Sequence, residues 1–295
     1  MTTQQMTRPR IPGRVGRRGT RVGQLSAGKG TYLLLAVVVF LSLFPLYWTF
    51  VAASHDNAQI SKVPPSLLPG ANLITNLTKA FHETEMKLAL INSFIVSSVV
   101  TVSVVLTSTL AGFAFAKLRF RGRNMLLAGV IATMMVPPQL GIIPLYIMMS
   151  QWLHWNNQIQ ALIVPAATSA FGVFFVRQYL VTALPTELLE AARVDGCSTL
   201  RIYWSIVLPV ARPAAAVLGM FTFMTAWNDF YWPRVVMTPQ NPTVQVALST
   251  LAGGYVIDYS VLLAGALIAT LPMLVVFAFM GRQILDGIMQ GALKA

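Results

Sequence analysis

Charge is what this chain has least of. Only 10% of its 295 residues are Asp, Glu, Lys or Arg, against about 25% in an ordinary soluble domain. Meanwhile 56% are hydrophobic, and the mean hydropathy is +0.66. Such a chain has too little polar surface to wrap a water-exposed core, so most of it must sit in lipid. Acids are scarcer still, nine against 21 Lys and Arg, for a formal net charge of +12. There is one cysteine, Cys197, which excludes an internal disulfide and reads as a small bystander. The three histidines, His55, His82 and His154, lie outside the apolar runs and form no metal or catalytic cluster, which speaks against a membrane enzyme. A phosphate loop is missing as well. Gly23, Gly28 and Lys29 fit G-x-x-x-x-G-K, but Gly30 stands where a Ser or Thr should reach magnesium, and no strand precedes it. The chain itself therefore holds no ATPase, and any ATP-driven step needs another subunit.

What is present is a series of apolar runs, each near the 20 residues that cross a bilayer as a helix. They are 32–53, 88–116, 125–149, 159–180, 213–236 and 259–280, so the fold class expected is an all-α polytopic membrane protein with six transmembrane helices. Pro137, Pro138 and Pro144 interrupt the third run, where a broken helix could mark a gate or a plain kink. Between the first two runs, 54–87 is polar and turn-rich, fit for a short extramembrane segment.

The cations fall in alternate gaps between these runs: before the first, at Lys117–Arg123, between Arg177 and Arg212, and at the end with Arg282 and Lys294. Seventeen of the 21 share one side. Positive loops stay in the cytoplasm, so both termini are expected there. A nucleic-acid-binding face would not alternate with membrane spans, so nucleic acid is excluded as a partner. Residues 1–30, rich in Arg, Gly, Pro and Thr, are expected to form a disordered basic cytoplasmic tail, followed by one transmembrane domain over 31–295. The apolar run after Arg17 and Arg18 is too long for a signal-peptide core and reads as an uncleaved first span.

The stretch 184–209 carries the sharpest signal. Pro185 suits the first turn of a helix and Gly196 the left-handed position just past its end. Leu188, Ala191 and Ala192 share one face by their spacing. Ser198 can cap a second short helix ending before Pro209. A compact helix, turn, helix follows, with small residues that let a partner's groove come close to the backbone.

Glu190-Ala191-Ala192, three residues, Gly196, nine residues, Ile206, one residue, Leu208-Pro209 resembles the E-A-A-x(3)-G-x(9)-I-x-L-P motif of ABC importer permeases, with every fixed position present. The resemblance implies the type I ABC importer permease fold, set in a bacterial cytoplasmic membrane, and a loop that docks into a cleft of the ATP-hydrolysing subunit. The docking element then comprises Glu190, Ala191, Ala192, Asp195, Gly196, Ile206, Leu208 and Pro209. Asn92-Ser93, Val136-Pro137-Pro138-Gln139 with Pro144-Leu145, and Trp227 to Pro233 resemble landmarks of the carbohydrate-uptake permeases, in particular the maltose-type second permease. Residues 287–294 resemble that subfamily's Gly-rich C-terminal tail, and the loop 238–258 lies where such permeases meet the substrate-binding protein.

The implied partners are a second, homologous permease, two copies of an ATP-binding subunit, an extracytoplasmic sugar-binding protein and the lipid membrane. ATP and magnesium would be bound by the partner ATPase, with no catalytic residue, metal or cofactor in this chain. The implied function is sugar import, of a disaccharide or short oligosaccharide, by ATP-driven alternating access. Candidate pathway residues are Asn92, Trp227, Asn228, Asp229, Tyr231 and Trp232. Asp229 has two readings: a pathway residue beside aromatic faces that stack on sugar rings, or a structural carboxylate at the interface near Arg234. A secondary transporter would show coupling-ion residues and similar halves, which this sequence lacks. An ABC permease for a non-sugar solute remains the closest alternative.

Overall fold

The computed structural model describes residues 28–253 and 255–292, without the side chains of 280 and 282–292. The expected disordered tail lies outside this range apart from Gly28 to Gly30, and the side-chain roles expected of the C-terminal tail lie outside it too. Among the described residues fourteen α-helices follow one another: α1 Lys29–Ala53, α2 Asn57–Ile60, α3 Leu73–Glu83, α4 Met86–Lys117, α5 Arg123–Thr133, α6 Ile142–Ile147, α7 Gln160–Ala166, α8 Ala170–Ala183, α9 Thr186–Val194, α10 Thr199–Ile202, α11 Leu208–Trp227, α12 Tyr231–Val236, α13 Val244–Leu251 and α14 Tyr259–Ala292. A 3₁₀ turn covers Pro138–Gly141, and wider π turns cover Met148–Trp152 and Tyr203–Val207. No strand occurs among the described residues.

Five stretches are long and apolar enough to cross a membrane: Lys29–Ala53, Met86–Lys117, Gln160–Ala183, Thr199–Val236 and Tyr259–Phe279. The pair Arg123–Thr133 and Pro138–Trp152, bent by 88°, makes a sixth when taken together as one broken span. The bend falls where the prolines predict a break. Pro137 sits in extended conformation and Pro138 opens the 3₁₀ turn, so neither needs the backbone N–H that proline lacks.

The chain divides into two compact units, Met1–Pro45 and Leu46–Ala295. The described part of the first is an apolar helix. In the second, α4 is central and packs against α8 and α11. Its buried face reads Ser93, Ser97, Val100, Val104, Ser108 and Gly112, at helical spacing and mostly small. Small residues are what let helices approach in lipid, where apolar burial alone gives no drive to associate. A Cβ on Gly112 would come within 2.9 Å of Val176 Cγ1, and one on Gly172 of α8 would run into Ser108 Oγ.

The 54–87 segment folds as α2 and α3 against the bundle. The buried Asn76 amide donates to the carbonyls of Ala53 at 2.8 Å and His55 at 2.7 Å. It thereby satisfies carbonyls left open where α1 ends.

The expectation of a helix that stops before Pro209 does not hold. From Thr199 the helix continues through the π turn Tyr203–Val207 into α11, with Pro209 in its first turn. The π turn widens the ladder by one residue just before the proline, which relieves the clash that a regular helix would impose.

Candidate functional site

The motif residues of 184–209 come together as a helix, turn, helix at one end of the bundle. Pro185 in extended conformation opens α9, and Glu187 stands in its first turn, favourable at the positive end of the helix dipole. The helix closes in a Schellman arrangement: the Cys197 N–H donates to Ala192 O at 2.9 Å and the Gly196 N–H to Arg193 O at 3.0 Å. Gly196 takes φ +77°, with open space where a Cβ would be. Its requirement is therefore conformational, since the left-handed region disfavours any side chain. Ser198 then accepts a hydrogen bond from the Arg201 N–H at 3.3 Å, capping α10 as predicted.

The face assignment within α9 needs correction. Leu189 and Ala192 are the buried pair, while Leu188, Glu190, Ala191, Arg193 and Val194 are exposed. The inward anchor is set by what lies beneath, the cluster containing Leu184, Ile202, Tyr203 and Val207, and it takes Leu189 rather than Leu188. Leu188 and Ala191, with Val194 at 88% exposure, are left as an outward apolar face, and Leu200 and Trp204 further along the loop are exposed as well. The motif thus splits. Ala192, Ile206 and Leu208 hold the loop to the core, and Glu190, Ala191, Asp195 and Gly196 are exposed. Pro209 is half-buried at the start of α11. Glu190 also lines a cleft of about 230 Å³ with Lys117, Arg119, Thr186, Leu189 and Arg193.

Asn92 lies on the same helix as Lys117, 25 residues earlier, hence about 37 Å away at the opposite end. There its amide donates to Asn241 Oδ1 at 2.8 Å and Pro242 O at 3.0 Å, and Ser93 Oγ accepts from the Val244 N–H at 2.9 Å. Asn157 completes the junction. Its Oδ1 accepts from the Thr238 backbone N–H and hydroxyl, each at 3.1 Å, and its carbonyl accepts from the Asn241 amide at 2.9 Å. Asn157 and Asn241 were not legible in advance. A signal existed for Asn157, which adopts φ 61°, since Asn tolerates this region better than most side chains.

The other candidate pathway residues surround the break between α11 and α12. Trp227 is buried, stacks on Phe223 with ring centroids 5.9 Å apart, and donates its indole N–H to Ala269 O at 3.2 Å. Trp232 donates to Ala161 O at 2.8 Å. Asp229 is half-buried, one residue ahead of Phe230, the N-cap of α12. No side-chain hydrogen bond caps α12, and no ion pair joins Asp229 to Arg234 among the described residues. Asn228 is exposed, bonds Met224 O at 2.9 Å, and its Oδ1 lies 3.5 Å from the Gln245 amide. Tyr231 is 69% exposed. The group thus divides into two indoles that anchor helices and three residues, Asn228, Asp229 and Tyr231, that reach the surface.

Residues 104–285 match the family described as binding-protein-dependent transport system inner membrane component. The lactose transport system permease protein LacG of Rhizobium radiobacter is 34% identical over 264 residues, 89% of this chain and 95% of its own. The sn-glycerol-3-phosphate transport system permease protein UgpE of Yersinia pestis is 33% identical over 268 residues, 87% and 94% of the two chains. The arabinooligosaccharides transport system permease protein AraQ of Halalkalibacterium halodurans is 32% identical over 263 residues, 88% and 94%. In fold, the chain is similar to a chain of a bacterial ABC transporter that imports the acidic polysaccharide alginate, with a TM-score of 0.73 at 20% identity, over 86% of this chain and 94% of that one.

Proposed function

The chain belongs to the binding-protein-dependent transport system inner membrane components, the permease subunits of ABC importers, and from that premise we propose that it carries a sugar, a disaccharide or short oligosaccharide. The permease forms the channel and hydrolyses nothing; ATP is split by a separate subunit. The substrate class is supported by two of the three named relatives, whose solutes are lactose and arabinooligosaccharides. The third carries sn-glycerol-3-phosphate, so a phosphorylated polyol is the alternative that the test must include.

The observation that carries the mechanism is the Gly196-closed helix pair, with Glu190, Ala191, Leu188 and Val194 turned outward on a loop that Ala192, Ile206 and Leu208 fix to the core. An apolar, small-residue face with one carboxylate, on a rigid base, is suited to a groove in another protein. We assign that groove to one of two ATP-binding subunits, with a second permease completing the channel. Closure of the ATPase pair moves the loop and reopens the permease pair toward an extracytoplasmic binding protein. We place the loop end in the cytoplasm, since Lys117, Arg119 and Arg193 gather there, and both termini on the same side. At the opposite end, the junction of Asn92, Asn157 and Asn241 holds the 238–243 turn, a firm platform for the binding protein. Asn228 and Tyr231 offer a hydrogen-bonding group and an open ring to a sugar.

The test is ATP hydrolysis by the reconstituted complex, with partner permease, ATPase and binding protein, across disaccharides, glycerol-3-phosphate and non-sugar solutes. Stimulation by one sugar, only with the binding protein present, is the expected result. Stimulation by glycerol-3-phosphate or by a non-sugar alone overturns the sugar assignment and leaves the permease role standing.

A further inference from the structure

The π turn between the docking loop and α11 contains Tyr203, 1% exposed, whose hydroxyl lies 2.8 Å from the hydroxyl of Thr109 on α4, 0% exposed. The donor can be assigned. Thr109 gives its one hydroxyl proton to Val105 O at 2.7 Å, so Tyr203 must donate and Thr109 Oγ1 accept. The surroundings, Val104, Phe113, Leu180 and Val207, are apolar, and a phenylalanine would fill the same volume there. The hydroxyl is therefore more than filler. The π turn carries one residue more than a regular helical turn, and this extra residue sets the angular phase between α10 and α11. Its neighbour Trp204 is 53% exposed and packs edge-on against the Tyr203 ring, centroids 5.0 Å apart. One step in sequence thus leads from the outward face of the loop to a bond with the central helix.

We propose that Tyr203 is a positioning residue for transport: its bond to Thr109 pins the phase of the π turn, so that displacement of the docking loop is delivered to α4 instead of being absorbed by migration of the bulge. The proposal rests on the reading of 184–209 as the ATPase dock. Tyr203→Phe, Thr109→Val, both together, and Thr109→Ser are assembled with wild-type partners. Solute uptake and ATP hydrolysis are then measured per assembled complex in proteoliposomes. Each single variant that removes the bond is expected to lower solute moved per ATP by about three- to ten-fold, with hydrolysis still stimulated by the binding protein. The double variant should be no worse than either single, and Thr109→Ser should restore the ratio. An unchanged ratio in Tyr203→Phe overturns the proposal. So does a parallel fall of hydrolysis and uptake in both singles, which marks the bond as merely structural. Failure of the premise looks different: Glu190→Leu and Gly196→Val would then leave hydrolysis and uptake both intact.

Discussion

The side-chain amide of Asn92 donates to Oδ1 of Asn241 at 2.8 Å, closing a separation of 149 residues. Because the same amide also serves Pro242 O, Asn92→Ala removes two bonds at a site only 6% exposed. Stranded buried groups of this kind cost about 1–3 kcal/mol each. Asn92→Asp should be no better, since a carboxylate cannot donate and would face the Asn241 and Pro242 oxygens. Both variants are expected to lower the melting temperature of the detergent-purified complex and to hasten proteolysis near 238–243. An unaltered melt in both would show that the turn is held elsewhere.

Gly112 and Gly172 bring α4 and α8 together. Gly112→Val would press its side chain against Val176 and the Arg177 backbone, and overpacking of this sort costs about 1–3 kcal/mol. Gly129, with nothing within 4 Å of a Cβ, is the control. Gly112→Val should reduce the amount of complex assembled while Gly129→Val does not, as read by co-purification with the partner subunits. Equal yields would contradict the close approach.

The six spans, the break at Pro137 and Pro138 and the Gly196 turn could be read from the sequence because each rests on local chemistry: apolar length, the missing proline N–H, and a left-handed backbone. The inward face of α9 could not. Leu188 and Leu189 are chemically alike, and only the cluster beneath them chooses Leu189. The course of the chain through Pro209 was hidden for a related reason, since a π turn has no compositional mark. Asn92 and Trp227 stand out in the sequence as candidate pathway residues, but their structural partners, Asn241 and the Ala269 carbonyl, lie 149 and 42 residues away, beyond the reach of spacing arguments.

Asp229 gives a prediction that separates its two readings. As a structural residue beside the start of α12, it adds at most about 0.3–1 kcal/mol, the worth of a negative charge near a helix N-terminus, so Asp229→Asn should lose no more than that. Asp229→Leu should lose a similar small amount. If Asp229 is only structural, KM for uptake stays constant in both variants. A raised KM in Asp229→Asn with an unchanged melt would instead make the carboxylate a solute contact.

The docking assignment yields the last prediction. At Gly196 the obstacle to substitution is the positive φ alone, worth about 1–2 kcal/mol for an ordinary residue, because no atom lies within 4 Å of a Cβ there. Asn tolerates that backbone and Val does not. Gly196→Asn should therefore keep much of the uptake that Gly196→Val loses. Glu190 is exposed and outside the core, so Glu190→Leu should leave folding and membrane insertion alone. Its expected effect is on binding of the ATPase subunit, seen as weaker co-purification and slower uptake. Loss of uptake in Gly196→Val and Glu190→Leu, with membrane levels unchanged, places the dock at this turn. Normal uptake in both places it elsewhere, and since the turn's conformation and Glu190's exposure are independent properties, one accident of folding could not produce that result twice.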